Sequence, residues 1–271
     1  MMTIPEHIIS RKLTSRRDIR LGNNQVFGFS YQRKQFFAKI YKERGGFQRE
    51  TFALENFGKS DIPVPKIVFK STSHGGTENC LVITERIKGT TLDKVERSRN
   101  KYCYQVGRLL AKIHAIKIPA MVRPLVIPVE EIAKGIRLFA DQEKIAHPLL
   151  RFLETTLEEL NLSSDIVMSH GDYIGRHIFV FRGTVSGIVD WECIRAARPE
   201  IDLGHCSAFL EIFGGPEDMQ SFIRGYGLTF DENINNRLKL YYKIIFARYW
   251  KRLNREQEYQ RAICSIRSQP D

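Results

Sequence analysis

No uninterrupted apolar run comes near the roughly 20 residues that a membrane-crossing helix needs. The first residues, Met1-Met2-Thr3-Ile4-Pro5-Glu6, lack the basic-then-apolar order of a secretory leader. Cysteine is scarce. Cys80, Cys103, Cys193, Cys206 and Cys264 are odd in number, and no two are spaced Cys-x-x-Cys. That argues against a disulfide framework and against a cysteine zinc site. Together these absences predict a cytoplasmic protein with reduced thiols and no membrane partner. The 271 residues also contain no internal repeat and no low-complexity segment.

What remains is an ordinary globular composition, 42% hydrophobic and 27% charged, long enough for a large core or two lobes. The net charge of +11 invites a polyanion as partner, but its distribution argues otherwise. Basic residues crowd the N-terminal segment (Arg11, Lys12, Arg16, Arg17, Arg20) and a stretch near the C-terminus (Arg237 to Arg255). Between them, residues 199–232 carry Glu200, Asp202, Glu211, Glu217, Asp218, Asp231 and Glu232 against Arg224 alone. We therefore expect no nucleic-acid partner. The acidic section is either a place to hold a cation or a solvated face.

Residues 22–28, Gly-Asn-Asn-Gln-Val-Phe-Gly, read as a loop between two strands, followed by a further strand over Gln35–Tyr41. Lys39 sits among apolar and aromatic neighbours, where an unpaired ammonium is costly. A helical segment over Phe47–Phe57 offers Glu50, in its first turn, as partner. A strand entry at Ile62–Phe69 and a buried strand at Cys80–Glu85 follow. Beyond residues 86–92 helices dominate: apolar stripes mark Tyr102–His114, Met219–Tyr226 and a long helix around Leu238–Tyr249, and segments 128–142 and 147–161 also look helical. The expected fold class is α+β. A strand-rich N-terminal lobe with one helix (residues 1–88) precedes a larger, mostly helical lobe (residues 89–271).

Chemistry concentrates in residues 167–192. Ile178–Phe181 and Val185–Val189 read as two strands turning at Arg182-Gly183-Thr184. If Gly183-Thr184 is the two-residue loop, opposite positions sum to 367, and His177 faces Asp190 across the ladder. Such pairs lie about 4.5–5.5 Å apart at Cβ. Asp172, on the preceding loop, is placed to approach the same point. A Lys-and-Glu sheet lobe followed by a helical lobe with this loop-hairpin is a kinase layout. No Gly-x-x-x-x-Gly-Lys-Ser/Thr motif occurs, so a P-loop enzyme is not supported.

These residues resemble the aminoglycoside phosphotransferase/choline kinase-like family, which shares the protein-kinase fold. The family's His-Gly-Asp, four residues, Asn motif is matched by His170-Gly171-Asp172 through His177, with histidine where asparagine is usual. Asp190 in Asp-Trp-Glu resembles the metal-binding aspartate, and Asp202-Leu203-Gly204 resembles a later family motif. The resemblance implies ATP as phosphoryl donor and a small-molecule acceptor. It makes Asp172 the catalytic base, Lys39 (held by Glu50) the phosphate clamp, and Gly22 part of the nucleotide loop. Backbone at Arg86 and Ile87 would hold the adenine. Mg²⁺ would sit on Asp190 and His177, with His170 and Asp202 bracing the loop. Imidazole suits softer ions better than Mg²⁺, so Mn²⁺ use, or a pseudokinase with a regulatory role, follows from His177. From the residues alone, a metal-dependent hydrolase using His170, Asp172, His177, Asp190 and His205 is the rival. The acidic 199–232 section points to a cationic, hydroxylated acceptor: an aminoglycoside-like antibiotic first, an amino alcohol or amino sugar second.

Overall fold

The computed structural model describes residues 20–21, 24–73, 80–96, 99–145, 155–159 and 165–267. In chain order the strands are β1 (Arg20–Leu21), β2 (Asn24–Tyr31), β3 (Lys34–Tyr41), β4 (Ile67–Ser71), β5 (Cys80–Glu85), β6 (Thr90–Thr91), β7 (Val167–Ser169), β8 (Ile178–Phe181), β9 (Thr184–Ile188) and β10 (Arg195–Ala197). The helices are α1 (Arg44–Phe57), α2 (Arg99–His114), α3 (Val129–Glu143), α4 (Pro199–Phe213), α5 (Pro216–Tyr226), α6 (Glu232–Arg252) and α7 (Glu256–Arg267). They form two compact units, and the division is not at one point of the chain. Met1–Thr90 groups with Phe179–Ile194, and Thr91–Ile178 groups with Arg195–Asp271.

In the first unit an antiparallel sheet runs β1-β2-β3-β5-β4. Phe27 pairs with Ala38 and Ala38 with Ile83, so Phe27, Phe29, Phe36, Ala38, Leu81 and Ile83 share one face and bury together. The period-two alternation of strands then turns Lys39 and Tyr41 to the other face. Helix α1 packs there, burying Phe47, Ala53, Leu54 and Phe57. It begins at Arg44, so Gly45 and Gly46 belong to its first turn and Glu50 to its second, one turn later than the sequence suggests. The loop expected at 22–28 is also revised. Asn24–Gly28 lie in β2, where Asn24 is buried and its side chain accepts from Lys42 N–H at 3.2 Å. That burial outweighs the turn preference of an Asn-Gln pair. Gly22 lies outside the described residues.

The β8–β9 hairpin is present, but its loop is Arg182-Gly183. Both residues have positive φ, 48° and 87°, the backbone of the tight turn whose twist matches paired strands. Phe181 and Thr184 therefore flank the loop, and Thr184 Oγ1 donates to Phe181 O at 3.1 Å. Counting outward from that pair no longer sets position 177 opposite Asp190. His177 lies instead in a 3-10 turn, Gly175–His177, ahead of the strand. The expected register is corrected by one residue of turn chemistry.

The second unit is helical. One core joins α3, α4, α6 and α7 through Ile136, Phe139, Phe209, Ile244, Trp250 and Ile263. Helices α2 and α5 cross at a pair of glycines: a Cβ on Gly107 would lie 2.0 Å from Phe222 O, and one on Gly225 would lie 2.0 Å from Tyr104 O. Helix α4 carries no apolar stripe in the sequence because almost every side is buried, Glu200 to Leu210 without a break. The helix expected around Leu238–Tyr249 is α6, and a further helix, α7, follows it beyond Asn254 at φ 53°. Within the expected helix 147–161, residues 155–159 are helical, 160–161 and 147–154 lying outside the described residues. Short strands β7 and β10 pair antiparallel, Ser169 opposite Arg195, and β7 releases the chain into His170-Gly171-Asp172. None of the five cysteines is bridged. Among the described residues, no helix is long and apolar enough to cross a membrane.

Candidate active site

Lys39 is the centre of the first unit's chemistry. Its Nζ lies 2.7 Å from Glu50 Oε2, 2.5 Å from Asp190 Oδ1 and 3.1 Å from Glu192 Oε2. Glu50 is fixed from behind by the Tyr41 hydroxyl, which donates to it at 2.6 Å. Asp190 is presented by the end of the hairpin, in a left-handed conformation at φ 67°. Trp191 anchors that bend: it is fully buried, donates from Nε1 to Ile188 O at 2.8 Å, and meets Phe57 edge-on at 4.9 Å. Glu192 receives the Asn24 amide, and its carbonyl accepts from Arg49 Nε at 2.5 Å. One ammonium thus serves three carboxylates. Burial works against the Lys39 charge, but Glu50, Asp190 and Glu192 outweigh it and hold the group well above its usual pKa. Burial, with Asp190 close by, pushes the Glu50 carboxyl up.

The Lys39–Glu50 pair is the one the sequence predicted, and Asp190 joins it. Glu192 and Asn24 were not singled out. Their signals were weak: an acid two residues beyond Asp190, and a polar residue heading a strand.

In the second unit, β7 delivers the His170-Gly171-Asp172 loop. Gly171 has φ +83°, a conformation that glycine adopts without strain. Buried Asp202, on α4, holds the loop by accepting from His170 N–H at 2.7 Å and Gly171 N–H at 2.8 Å. His114 Nε2 donates to the same carboxylate at 3.2 Å, while its Nδ1 accepts from the Tyr226 hydroxyl at 2.8 Å. Burial alone would raise the Asp202 carboxyl. The hydrogen bond from His114, the electrostatic influence of His114 and His170 and the Gly171 N–H reverse that and bring it down to about 2. His170 is fully buried, and its Nδ1 accepts from Asp172 N–H at 3.2 Å. It is a brace. Asp172 itself is partly exposed. His177 Nδ1 lies 3.4 Å from its Oδ2 and donates to its backbone O at 3.0 Å, and His205 Nδ1 lies 3.7 Å from its Oδ1.

Arg86, in the first unit, already donates its N–H to Gln35 O at 3.0 Å, and Ile87 packs its side chain on Gly187. The acidic 199–232 section is largely engaged inside its own unit. Glu200 binds Arg198 at 2.9 Å and Asp231 N–H at 2.8 Å, and Glu211 binds Lys243 at 2.7 Å and Lys239 at 3.0 Å. Asp218 faces Arg99 at 3.7 Å, and Asp231 caps α6 through Ile234 N–H at 3.0 Å. With Asp202 spoken for as well, only Glu217 and Glu232 of the seven lack a structural task described above, so the section is no ready-made cation site.

A sequence profile of the phosphotransferase enzyme family matches residues 19–237. The chain belongs to that family. A comparison with curated protein sequences found no match. Among solved structures, the phosphotransferase is similar to spectinomycin phosphotransferase in its AMP-bound complex, at 16% identity and a TM-score of 0.67 over 91% of this chain and 92% of that one. It is similar to an aminoglycoside-3′-phosphotransferase of type VIII at 19% identity, TM-score 0.63, covering 88% and 98%. A thermostable aminoglycoside phosphotransferase variant, solved with ADP and hygromycin B, aligns at 13% identity, TM-score 0.63, over 98% and 99%. The fold is therefore the kinase-like one these enzymes share: an antiparallel-sheet N-terminal part and a helical C-terminal part.

The donor set of the phosphotransferase's first unit fits a hard divalent cation. Glu50, Asp190 and Glu192 offer oxygens within 4.8 Å of one another, and three carboxylates outnumber the single lysine. Carboxylate oxygen is what Mg²⁺ prefers.

Proposed function

We propose that this phosphotransferase moves the γ-phosphoryl group of ATP to a hydroxyl of a small, cationic, hydroxylated molecule. An aminoglycoside-like antibiotic is the first candidate, an amino alcohol or amino sugar the second. The observation that carries the donor side is the Lys39 cluster, an ammonium and an excess of carboxylates gathered at the end of the hairpin. Phosphoryl transfer asks a protein mainly to position groups and neutralise charge. Lys39 binds the α- and β-phosphates while Glu50 keeps it in place, and backbone near Arg86 and Ile87 receives the adenine. Asp190 is the residue of this cluster that would hold Mg²⁺, or Mn²⁺, and His177 is the position at which the family resemblance sets a further ligand. Bound there, the ion neutralises charge on the phosphate oxygens. Asp172 takes the proton of the acceptor hydroxyl as the new bond forms. His170 and Asp202 hold the loop that carries it.

The acceptor class rests on the relatives, one solved with spectinomycin and another with hygromycin B, since the internal acids do not supply it. To test it, ADP release is measured with Mg²⁺ and ATP against a panel of aminoglycosides, spectinomycin, amino alcohols, neutral sugars and phosphorylated sugars. We expect a hydroxylated amine to give the fastest release, and Asp172→Asn to lower it by about 10³-fold, within the range of a lost general base. Response to phosphorylated sugars alone overturns the cationic acceptor. A second reading, a nucleotide-binding regulator, draws on His177 standing where the family carries asparagine. It takes over if ATP raises the melting temperature and no acceptor raises ADP release.

The hydrolase reading loses ground to the family match. His170, one of its ligands, has its Nδ1 occupied by a backbone N–H.

A further inference from the structure

His205 has no part in the roles above, yet it lies beside the residue that takes the proton. It sits on α4, one turn beyond Asp202, with its Nδ1 3.7 Å from Asp172 Oδ1. Its ring is stacked on Tyr242 (centroids 4.1 Å apart, planes at 13°) and flanked by Phe246 at 5.2 Å. The residue is 8% exposed, and its Nδ1 is buried without a hydrogen-bond partner among the described residues. A buried polar atom left unsatisfied costs about 1–3 kcal/mol. A phenylalanine would make the same stack without that cost. The imidazole is therefore retained at a penalty that some partner must offset, and its nitrogen faces the Asp172 carboxylate.

Two atoms 3.7 Å apart are too far for a direct hydrogen bond. They are well spaced for one oxygen held by both, at about 2.8 Å from each. A hydroxyl matches both atoms chemically. It donates its proton to Asp172 Oδ1 and accepts from the Nδ1–H of His205. An ammonium, which only donates, leaves the imidazole N–H facing another donor.

We infer that His205 is an acceptor-binding residue, holding the attacking hydroxyl between its Nδ1–H and Asp172 Oδ1. This rests on the phosphotransfer reading. In the step, the acceptor O–H bond breaks and its proton passes to Asp172. The oxygen forms a bond to the γ-phosphorus, and the bond from that phosphorus to the bridging oxygen of ADP breaks. The imidazole keeps its proton throughout and steadies the charge growing on the acceptor oxygen. Burial favours the neutral imidazole this requires, pushing its pKa down. His177 Nδ1 lies 3.4 Å from the other carboxylate oxygen and donates to the Asp172 backbone O at 3.0 Å.

Water is the smallest acceptor of this kind, so the test needs no identified substrate. ADP release from Mg²⁺ and ATP alone is measured for the wild type, His205→Phe, His205→Asn and Asp172→Asn, each with its melting temperature. His205→Phe keeps the stack and removes the donor. It should lower kcat by about 100-fold, the scale of one lost transition-state donor, with KM for ATP unchanged and the melting temperature raised because the unsatisfied nitrogen is gone. His205→Asn loses the stack but returns an amide N–H near the Nδ1 position. It should melt lower than the phenylalanine variant and still turn over faster. Wild-type kcat in His205→Phe, beside a low Asp172→Asn, overturns this inference and leaves phosphotransfer standing. So does a His205→Asn protein no faster than His205→Phe. Wild-type turnover in Asp172→Asn, or no ADP from the wild type with water or any acceptor, overturns the phosphotransfer reading and this inference with it.

Discussion

The Lys39 cluster and the Asp172 loop handle charge in opposite ways. Around Lys39, three carboxylates close on one ammonium, none farther than 3.1 Å. Around Asp172, the two nearest imidazole nitrogens stand off from the carboxylate at 3.4 and 3.7 Å, while the loop beneath is tied down at 2.7 and 2.8 Å. The first region is an ion-pair network whose atoms are engaged before any ligand arrives. The second is a frame tied down at its backbone, in which His205 Nδ1 has no hydrogen-bond partner among the described residues. On the proposed function the difference suits the two partners: a nucleotide with its cation would bring enough charge to rearrange an ion-pair network, whereas a neutral hydroxyl would bring little and need a place already made.

That contrast is most easily broken at Lys39. Lys39→Met leaves Glu50, Asp190 and Glu192 facing one another with no cation, and Glu50 is buried. Removing one member of a buried ion pair costs about 3 kcal/mol, and denaturant unfolding should show a loss of that order. The double change Lys39→Met with Glu50→Gln should recover part of it. An unchanged midpoint in the single variant means that the network is solvent-screened decoration, and the contrast is lost.

The frame under Asp172 is tested by acid. The folded Asp202 carboxyl, at about 2, lies below the 3.8 of the free group. A group whose folded pKa is depressed contributes its stability above the unfolded pKa and loses it as pH falls through the folded one. Here the window runs from about pH 4 down to about 2, and the difference of nearly two pH units is worth about 2 kcal/mol. Asp202→Asn should therefore be less stable than the wild type at neutral pH, with the gap closing as pH falls through that window. A gap that stays constant down to pH 2 contradicts the assignment.

Position 177 lies beside the Asp172 carboxylate. On the proposed metal role, asparagine there would supply a neutral amide oxygen, a better ligand for Mg²⁺ than imidazole. His177→Asn should raise Mg²⁺-supported ADP release several-fold and the Mn²⁺-supported rate less. Equal rates in both metals would make the histidine mechanistically silent.

What could be read from residues alone follows from what each residue costs when misplaced. Lys39 amid aromatic neighbours demanded a partner, so the Glu50 pair was legible. Asp202 was legible as a brace through motif spacing, and it accepts from the His170 and Gly171 N–H groups. Helix α4 was not, because a segment buried on nearly every side has no apolar stripe to show. Glu192 was overlooked because an exposed acid and a chelating one look alike until the fold brings Asn24 and Lys39 to it. His205 was seen only as a candidate metal ligand, since its orphaned nitrogen is a property of packing. The hairpin was legible, but its register was not, because nothing in the residue type announces an arginine with positive φ.

That arginine gives the smallest and most discriminating change. At φ 48°, Arg182 occupies a left-handed conformation that costs an ordinary side chain about 1 kcal/mol and asparagine much less. Its guanidinium recovers some of this over the Phe181 ring at 5.1 Å, a contact worth about 0.5 kcal/mol at an exposed site. Arg182→Asn, creating the Asn-Gly pair that this turn favours, should then stabilise the protein by about 0.5 kcal/mol. If the loop were Gly183-Thr184 instead, position 182 would be a strand residue, and asparagine, a poor strand former, would destabilise it. The sign of the shift in melting temperature separates the two registers. Turnover should not move, because Arg182 touches neither the Lys39 network nor the Asp172 loop. A change in rate would mean that the hairpin tip is coupled to the reacting groups, and that the carboxylate cluster is less firmly set than its short distances indicate.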